Sequence, residues 1–284
     1  MRDLTLSIVF FVGQIFPSLG FAETVFPPQL LETGRVVFSE KYQPAKGAKA
    51  FAVSAKGNFY YVSEQQTQER AARTASLRCL NSHGVPCQIW MLNDENVSSM
   101  YVQAEKDSIV AIASFPPDLK GKFFGAEDTD TGVTPLEALQ DGALIHSATP
   151  VTSTSGFQTI TTSQLLALYR SQPDLVVLDV LVDQLFKKET LPKASWLNGA
   201  GWSQVEKNKL IDANLSKAIS LIAPAKEQAV VVYCSGWECW LSWNASKRLA
   251  ALGYKNVYWY RGGMDAWKAA RLPTVITPIT AQLW

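Results

Sequence analysis

The apolar and polar positions of this 284-residue chain follow two patterns, and the change comes near residues 146–156. In the first half, short apolar runs flank a turn signal at residues 56–58, which is typical of a β-hairpin. A stretch of strong helix formers follows and ends near Gly84. Residues 87–92 (CQIWML) and 108–114 (SIVAIAS) are predicted as further strands. The first half is therefore predicted to be a small α+β domain preceded by an extended tether.

The second half alternates continuously apolar runs with helical segments. The apolar runs include LVVLDV (175–180), AVVVYC (229–234) and NVYWY (256–260). Strands that are apolar at every position indicate a parallel sheet covered by helices on both faces, so the predicted class is α/β. Ligands of such sheets bind at the carboxyl ends of the strands, and Cys234 stands at one of these ends. The Ser- and Thr-rich residues 146–156 are predicted to link the two halves.

Charge and the amino terminus restrict the partners and the compartment. A net charge of +1 argues against a nucleic-acid partner and gives no sign of attraction to an anionic membrane. Arg2, an apolar run over residues 4–16 and small residues up to Ala22 predict a cleaved secretory signal, with retention as an anchor as the alternative. We therefore expect a signal peptide at 1–22, a first domain at 23–150, a second at 151–284, and a periplasmic location without stable membrane insertion.

Three potential metal ligands of the first half are spaced by four residues. Cys79, His83 and Cys87 would share one face of an unbroken helix, but Gly84 and Pro86 interrupt it and a fourth ligand is not evident. A disulfide between Cys79 and Cys87 is the favoured interpretation over a metal site, particularly in an oxidising compartment.

Several short motifs of the second half occur in an order known from one protein family. LVVLDV carries Asp179, AVVVYC ends in Cys234, and RGGMDAW (261–267) and RLPTV (271–275) follow. Over roughly residues 157–275 they resemble a rhodanese-like domain. The resemblance implies a parallel sheet with helices on both faces, sulfur transfer between a small sulfur donor and a thiol acceptor, and catalysis by Cys234. Persulfide chemistry on this cysteine needs no metal or organic cofactor.

A narrower resemblance rests on CWLSWNASKR (239–248) and GYKNVYWY (253–260). These stretches are similar to exported rhodanese-like proteins with a Cys…Cys-Trp motif that are associated with pyrroloquinoline-quinone-dependent alcohol oxidation. The likeness implies a periplasmic quinoprotein or cytochrome system as partner. Leu181 and Thr190 replace an Arg and a His of the wider family, and the segment after Cys234 lacks its basic residues. These departures argue against thiosulfate as the donor.

The segment between Cys234 and Cys239 is predicted to be the reactive site. A loop between a strand end and a helix start directs main-chain N–H groups to one spot, and the helix adds a partial positive charge there. A cysteine in this position loses its proton more easily, and its thiolate can take a sulfane sulfur as a persulfide. Cys239 is predicted to resolve that persulfide as a disulfide. The predicted substrate-binding residues are Ser235, Gly236, Trp237, Glu238 and Trp240, with Asp179 orienting the loop backbone.

Three functions therefore stay open at the level of sequence. The leading interpretation is sulfur transfer through a persulfide on Cys234. The second is a thiol–disulfide relay that uses Cys234 and Cys239, and the third is an inactive rhodanese fold that serves as a binding module. A static disulfide with the surrounding tryptophans as core fits the third. Residues 151–284 contain no histidine, which excludes a Cys–His protease-like site within them.

Overall fold

A computed structural model describes residues 26–117, 119–154 and 156–284, without the side chain of Ala143. The predicted signal peptide, residues 1–22, lies outside the described residues. None of the helices in the described ranges combines the length and apolar character that a membrane span requires.

The first half contains an antiparallel sheet of four strands in the order β2-β1-β3-β4. The strands are β1 (Ala48–Ser54), β2 (Phe59–Gln65), β3 (Cys87–Leu92) and β4 (Glu95–Asn96). β1 and β2 form the predicted hairpin, in which the Ser54 amide donates to the Asn58 carbonyl at 2.8 Å. Gly57 takes a φ of 82° in this turn, a conformation that glycine adopts without steric cost.

Three helices accompany this sheet. They are α1 (Glu32–Val37), continued by a π-helical turn Phe38–Tyr42, then α2 (Gln68–His83) and α3 (Ser99–Ala113). Thr67 Oγ1 caps α2 by accepting from the Arg70 amide at 3.1 Å. The strand predicted at residues 108–114 is wrong, because this segment is the last half of α3. A seven-residue apolar run fits a buried strand and one side of a helix equally well.

The second half contains a six-stranded sheet in the order β12-β8-β6-β9-β10-β5, with all paired strands parallel. Its strands are β5 (Gln158–Ile160), β6 (Val176–Asp179), β8 (Ala194–Asn198), β9 (Ala229–Tyr233), β10 (Asn256–Tyr260) and β12 (Ala281–Gln282). β7 (Lys187–Thr190) and β11 (Val275–Pro278) form a separate antiparallel pair. The predicted parallel sheet is confirmed.

Helices cover both faces of the six-stranded sheet, as predicted. They are α4 (Thr162–Ser171), α5 (Val205–Ile222), α6 (Trp240–Ala251) and α7 (Gly263–Ala269). Leu215 of α5 and Trp243 of α6 belong to the core on one face. Leu165 of α4 and Trp267 of α7 belong to the core on the other. β9 is buried at every position and lies between β6 and β10, so its carboxyl end reaches the centre of the sheet.

The two halves share a hydrophobic core. Phe186, Trp196 and Ile279 of the second half pack with the buried residues of α2 and β3. The Tyr101 hydroxyl donates to the Ile279 carbonyl at 3.1 Å, and the Gln282 amide donates to Ser76 Oγ at 3.1 Å. The two halves are therefore in contact across the predicted division at residue 150. The position of that division stays a prediction.

Cys79 and Cys87 are bonded to each other and connect the last turn of α2 to the start of β3. Neither sulfur is then available as a metal ligand. His83 is exposed, and its Nε2 lies 2.9 Å from the Phe59 carbonyl oxygen.

Candidate active site

Residues 234–239, here called the site loop, join β9 to α6. The loop closes on itself through the Cys239 amide, which donates to the Gly236 carbonyl at 3.1 Å. Cys239 then takes an extended conformation as the cap residue, and α6 begins at Trp240. The sulfur-bearing ends of the loop are thus held by the central strand and by a helix start.

The start of α7 supports the site loop from the side. The Met264 amide donates to the Cys234 carbonyl at 3.0 Å, and the Asp265 amide donates to the Ser235 carbonyl at 2.8 Å. Gly263 has a φ of 54°, and a Cβ there would lie 2.5 Å from the Cys234 carbonyl oxygen. The loop can approach α7 this closely only because this residue is a glycine.

Both sulfur atoms of the site loop are buried and bonded to each other. Cys234 is 1% exposed and Cys239 is 0% exposed. Cys234 Sγ lies 3.2 Å from the Cys239 carbonyl oxygen and 3.1 Å from Ser242 Oγ. Within the described residues, no main-chain amide donates to this sulfur. The amide cradle expected around Cys234 is therefore wrong for this bonded state.

A segment before the second half covers the site loop. We call residues 145–149 the strap. The Trp240 amide donates to the Ile145 carbonyl at 2.9 Å, and the Trp240 indole donates to Ser147 Oγ at 3.1 Å. The amide and hydroxyl of Thr149 both donate to the Trp237 carbonyl, at 3.1 and 2.5 Å. The predicted linker is thus partly a packed cover whose hydrogen bonds use the site loop itself.

The buried side chain of Arg261 binds the strap by hydrogen bonds. This side chain is 1% exposed, and its guanidinium donates to Thr149 Oγ1 at 3.1 Å and to the Thr149 carbonyl at 3.0 Å. It also donates to the carbonyls of Ala126 and Glu127 at 3.0 Å each. Hydrogen bonds from a cation are stronger than those from a neutral donor, so Arg261 holds two irregular segments against the site loop.

The predicted binding residues do not form one pocket. Ser235 and Trp237 are half-buried and Glu238 is exposed, so these three form the outer surface of the loop. Gly236 is buried against Asp265, whose Oδ2 would lie 2.3 Å from an added Cβ. Trp240 is 2% exposed and lies under the strap rather than at the surface. Its predicted role in contacting a substrate therefore does not fit this state.

The surface around the site loop is acidic. We call Asp128, Asp130, Glu238 and Asp265 the acidic rim, and all four are exposed. Partial burial raises the pKa of Asp265, and the charge of Glu238 raises it further while Lys268 lowers it. Burial lowers the pKa of the Arg261 guanidinium, which is committed to the strap, and the charges of Asp128 and Asp130 oppose this shift. An anionic ligand would meet net negative charge here.

Asp179 is placed differently from its predicted role. It ends β6 beside Tyr233, accepts from the Leu181 amide at 2.9 Å and pairs with Lys188 Nζ at 2.7 Å. Burial raises the pKa of Asp179, and the charge of Lys188 opposes this shift. Its side chain thus bonds the chain after β6, Lys188 of β7 and Tyr233 at the end of β9, and none of these partners belongs to the site loop.

The comparison with family models matches residues 161–270 to the rhodanese-like domain. The matched range contains β6, β9, the site loop and the start of α7. Residues 161–270 form a rhodanese-like domain. A search of curated proteins found no match to the chain.

Solved structures resemble the rhodanese-like part at low identity. The thiosulfate sulfurtransferase of Pseudomonas aeruginosa is 20% identical, with a TM-score of 0.34, over 44% of this chain and 21% of that chain. A rhodanese with anions from E. coli is 23% identical, with a TM-score of 0.26, over 36% of this chain and 96% of the other. A polysulfide-sulfur transferase homodimer of Wolinella succinogenes is 22% identical, with a TM-score of 0.31, over 41% of this chain and 77% of the other.

Sequence reasoning missed three residues that contact the site loop or the strap. They are Thr149, Ser242 and Arg261. Arg261 begins the RGGMDAW motif, so its position next to the double glycine was an available signal for closeness to the loop. Thr149 had no such signal, because it lies in irregular backbone between α3 and β5 and its partners, Trp237 and Arg261, are distant in sequence.

Replacing Lys188 by Met should make stability depend more steeply on pH than it does in the parent. Asp179 would become a buried unpaired carboxylate, and we expect a loss of about 3–5 kcal/mol of unfolding free energy near neutral pH. A native pKa raised by burial means that the native state binds more protons than the unfolded state. Stability should therefore fall as the pH rises from about 4 through the raised pKa of Asp179. Denaturant unfolding at several pH values measures this effect.

Lys187, exposed on the same strand, gives the control substitution Lys187→Met. This variant should keep the stability and pH profile of the parent. Equal losses in the two variants would contradict the role assigned to the Asp179–Lys188 pair.

Replacing Arg261 by Met should loosen the strap and expose the bonded sulfurs. Losing charged hydrogen bonds worth about 1.5–3 kcal/mol should increase the open population, and the rate at which dithiothreitol reduces the Cys234–Cys239 bond, roughly ten- to hundredfold. Timed alkylation with mass spectrometry measures the rate in native buffer.

Arg248→Met is the matched control, because Arg248 is also buried but binds Asp212, Asn208 and the Trp202 carbonyl. It should lower global stability and leave native-state reduction nearly unchanged. An unchanged rate in the Arg261 variant would mean that the strap does not control access.

Proposed function

We propose that the rhodanese-like domain carries sulfur as a persulfide on Cys234, and that Cys239 resolves this persulfide. The observation that supports the proposal is the position of the pair. One sulfur stands at the carboxyl end of the central strand, where parallel sheets place their ligands, and the other lies five residues later within bonding distance. The rhodanese-like family to which residues 161–270 match supports sulfur as the transferred atom.

The first step is attack of the Cys234 thiolate on the outer sulfur of a donor R–S–SH. The new bond joins Cys234 Sγ to that sulfur, the donor S–S bond breaks, and R–S⁻ leaves. A thiol acceptor can then take the sulfur by the reverse type of attack, which regenerates the Cys234 thiolate and forms a new persulfide on the acceptor.

The second route uses Cys239. Its thiolate attacks Cys234 Sγ, the bond to the outer sulfur breaks, and hydrosulfide leaves with the electron pair of that bond. The two cysteines are oxidised to the disulfide and the sulfane sulfur is reduced to sulfide. The bonded state of Cys234 and Cys239 is the product of this route, and an external dithiol must reduce it before the next cycle.

The donor that fits the site carries little negative charge. Thiosulfate is a dianion, and the negative charge of the acidic rim opposes its approach. The site loop has no Lys or Arg that could pair with it. Cys234 itself is buried, so a donor reaches it only after the strap moves. A low-molecular-weight persulfide, or a persulfide delivered by a basic protein, satisfies the charge requirement.

A thiol–disulfide relay is the second candidate, and the Cys234–Cys239 bond favours it directly. In this function the pair would exchange electrons with partner thiols and no sulfur atom would be carried. A binding module is the third, favoured by the burial of both sulfurs. Two bonded cysteine pairs support an oxidising compartment, which we propose is the periplasm, with a quinoprotein or cytochrome system as partner.

Single-turnover sulfur release should separate these functions. We expect the reduced parent, mixed with a low-molecular-weight persulfide, to release one hydrosulfide per chain and to end with Cys234 bonded to Cys239. Cys239→Ser should retain one added sulfur on Cys234, and Cys234→Ser should do neither. Intact-mass spectrometry and a hydrosulfide electrode measure both products.

The matched control is Cys79→Ser with Cys87→Ser, which removes the other bridge and should leave the stoichiometry unchanged in the folded protein. A parent that oxidises with a disulfide reagent but gains no sulfur from the persulfide would favour the relay. If Cys234 remains unmodified under both treatments, the binding module is favoured.

A further inference from the structure

Two main-chain donors at the end of the site loop are committed elsewhere. The Cys239 amide donates to Gly236, and the Trp240 amide donates to Ile145 of the strap. The nearest oxygen of the loop itself, the Cys239 carbonyl, lies 3.2 Å from Cys234 Sγ and would repel a negative charge on that sulfur. No main-chain amide within the described residues donates to Cys234 Sγ, so a side-chain hydroxyl close to this sulfur would stabilise a thiolate or persulfide there.

Ser242 is placed to be that donor. It lies in the first turn of α6, is 1% exposed, and its Oγ lies 3.1 Å from Cys234 Sγ. The same hydroxyl lies 3.3 Å from the Cys239 carbonyl oxygen. A serine hydroxyl has one proton, so Ser242 can donate to only one of these two acceptors at a time.

Trp259 restricts the direction of this proton. Its ring, on β10, is 0% exposed, and its indole N–H donates to Ser242 Oγ at 2.9 Å. An indole N–H donates and never accepts, so the Ser242 proton must point away from Trp259 and towards the sulfur or the carbonyl. When Cys234 is ionised, the charged sulfur is the stronger acceptor.

We propose that Ser242, oriented by the Trp259 indole, is the positioning residue that donates to the Cys234 thiolate and to the persulfide formed from it. The inference rests on the proposed function of Cys234. No proton is transferred in this arrangement. The hydroxyl rotates from the Cys239 carbonyl to the sulfur when the negative charge forms, and it rotates back when the disulfide closes.

Thiolate formation in a single-thiol background tests this inference. Cys239→Ser leaves Cys234 as the free thiol while Cys79 and Cys87 stay bonded, and ultraviolet thiolate absorbance is followed against pH. A chain with both site-loop cysteines replaced by serine corrects for tyrosine ionisation. Adding Ser242→Ala should move the titration midpoint upwards by roughly one to two pH units, because a hydrogen bond to a charged group is lost.

Trp259→Phe keeps a ring and removes only the orienting donor, so it should move the midpoint in the same direction by less. The double variant should match Ser242→Ala, because Trp259 acts through Ser242. Trp243→Phe is the matched control, since Trp243 is also 0% exposed, packs 5.0 Å from the Trp259 ring, and its indole nitrogen has no partner within the described residues. It should leave the midpoint where the parent has it.

Near-ultraviolet circular dichroism establishes whether each variant is folded. If Ser242→Ala does not fold, the comparison of Trp259→Phe with Trp243→Phe tests the inference instead. An unmoved midpoint in Ser242→Ala, or equal shifts in Trp259→Phe and Trp243→Phe, would overturn the inference. The titration needs no sulfur donor. If the titration midpoints shift as expected but the parent forms no persulfide on Cys234, sulfur transfer is refuted and the role of Ser242 as a donor to the thiolate is retained.

Discussion

The burial of one pair of sulfur atoms is the constraint on which the site depends. Cys234 and Cys239 stand at the end of the central strand, where chemistry is expected, yet the strap and the first turn of α6 enclose them. A sealed sulfur exchanges neither electrons nor atoms with a partner. A chemical function at this pair therefore requires these buried sulfurs to become accessible, and the hydrogen bonds from Arg261 to Thr149 oppose movement of the strap.

The buried charged groups of the second half have partners. A buried charge without partners is costly: Lys188 pairs with Asp179, and Arg261 donates to the carbonyls of Ala126 and Glu127. Within the described residues, Trp259 donates to Ser242, whose hydroxyl lies next to Cys234 Sγ. The residues of the acidic rim are exposed, unlike these buried groups.

The sheet and the site loop could be predicted because their signals are local. The apolar runs of β6, β9 and β10 are too continuous for half-exposed strands, and Cys234 directly follows one of these runs. The strap could not be predicted, because Ile145 and Thr149 lie in irregular backbone whose sequence has no periodic pattern of apolar residues. The expected amide cradle was wrong for a related reason. The Trp240 amide donates to the Ile145 carbonyl of the strap, and no pattern in the site loop indicates that this acceptor lies nearby.

The central claim is that Cys234 and Cys239 interconvert between dithiol and disulfide within the native fold. Equilibration of the protein in glutathione buffers of graded potential, followed by alkylation and peptide mass spectrometry, tests it most directly. The account predicts that Cys234 and Cys239 become alkylated at potentials where Cys79 and Cys87 remain bonded and near-ultraviolet circular dichroism is still native. If the site-loop pair is reduced only together with unfolding, or only after Cys79 and Cys87, the bond is structural and the account is contradicted.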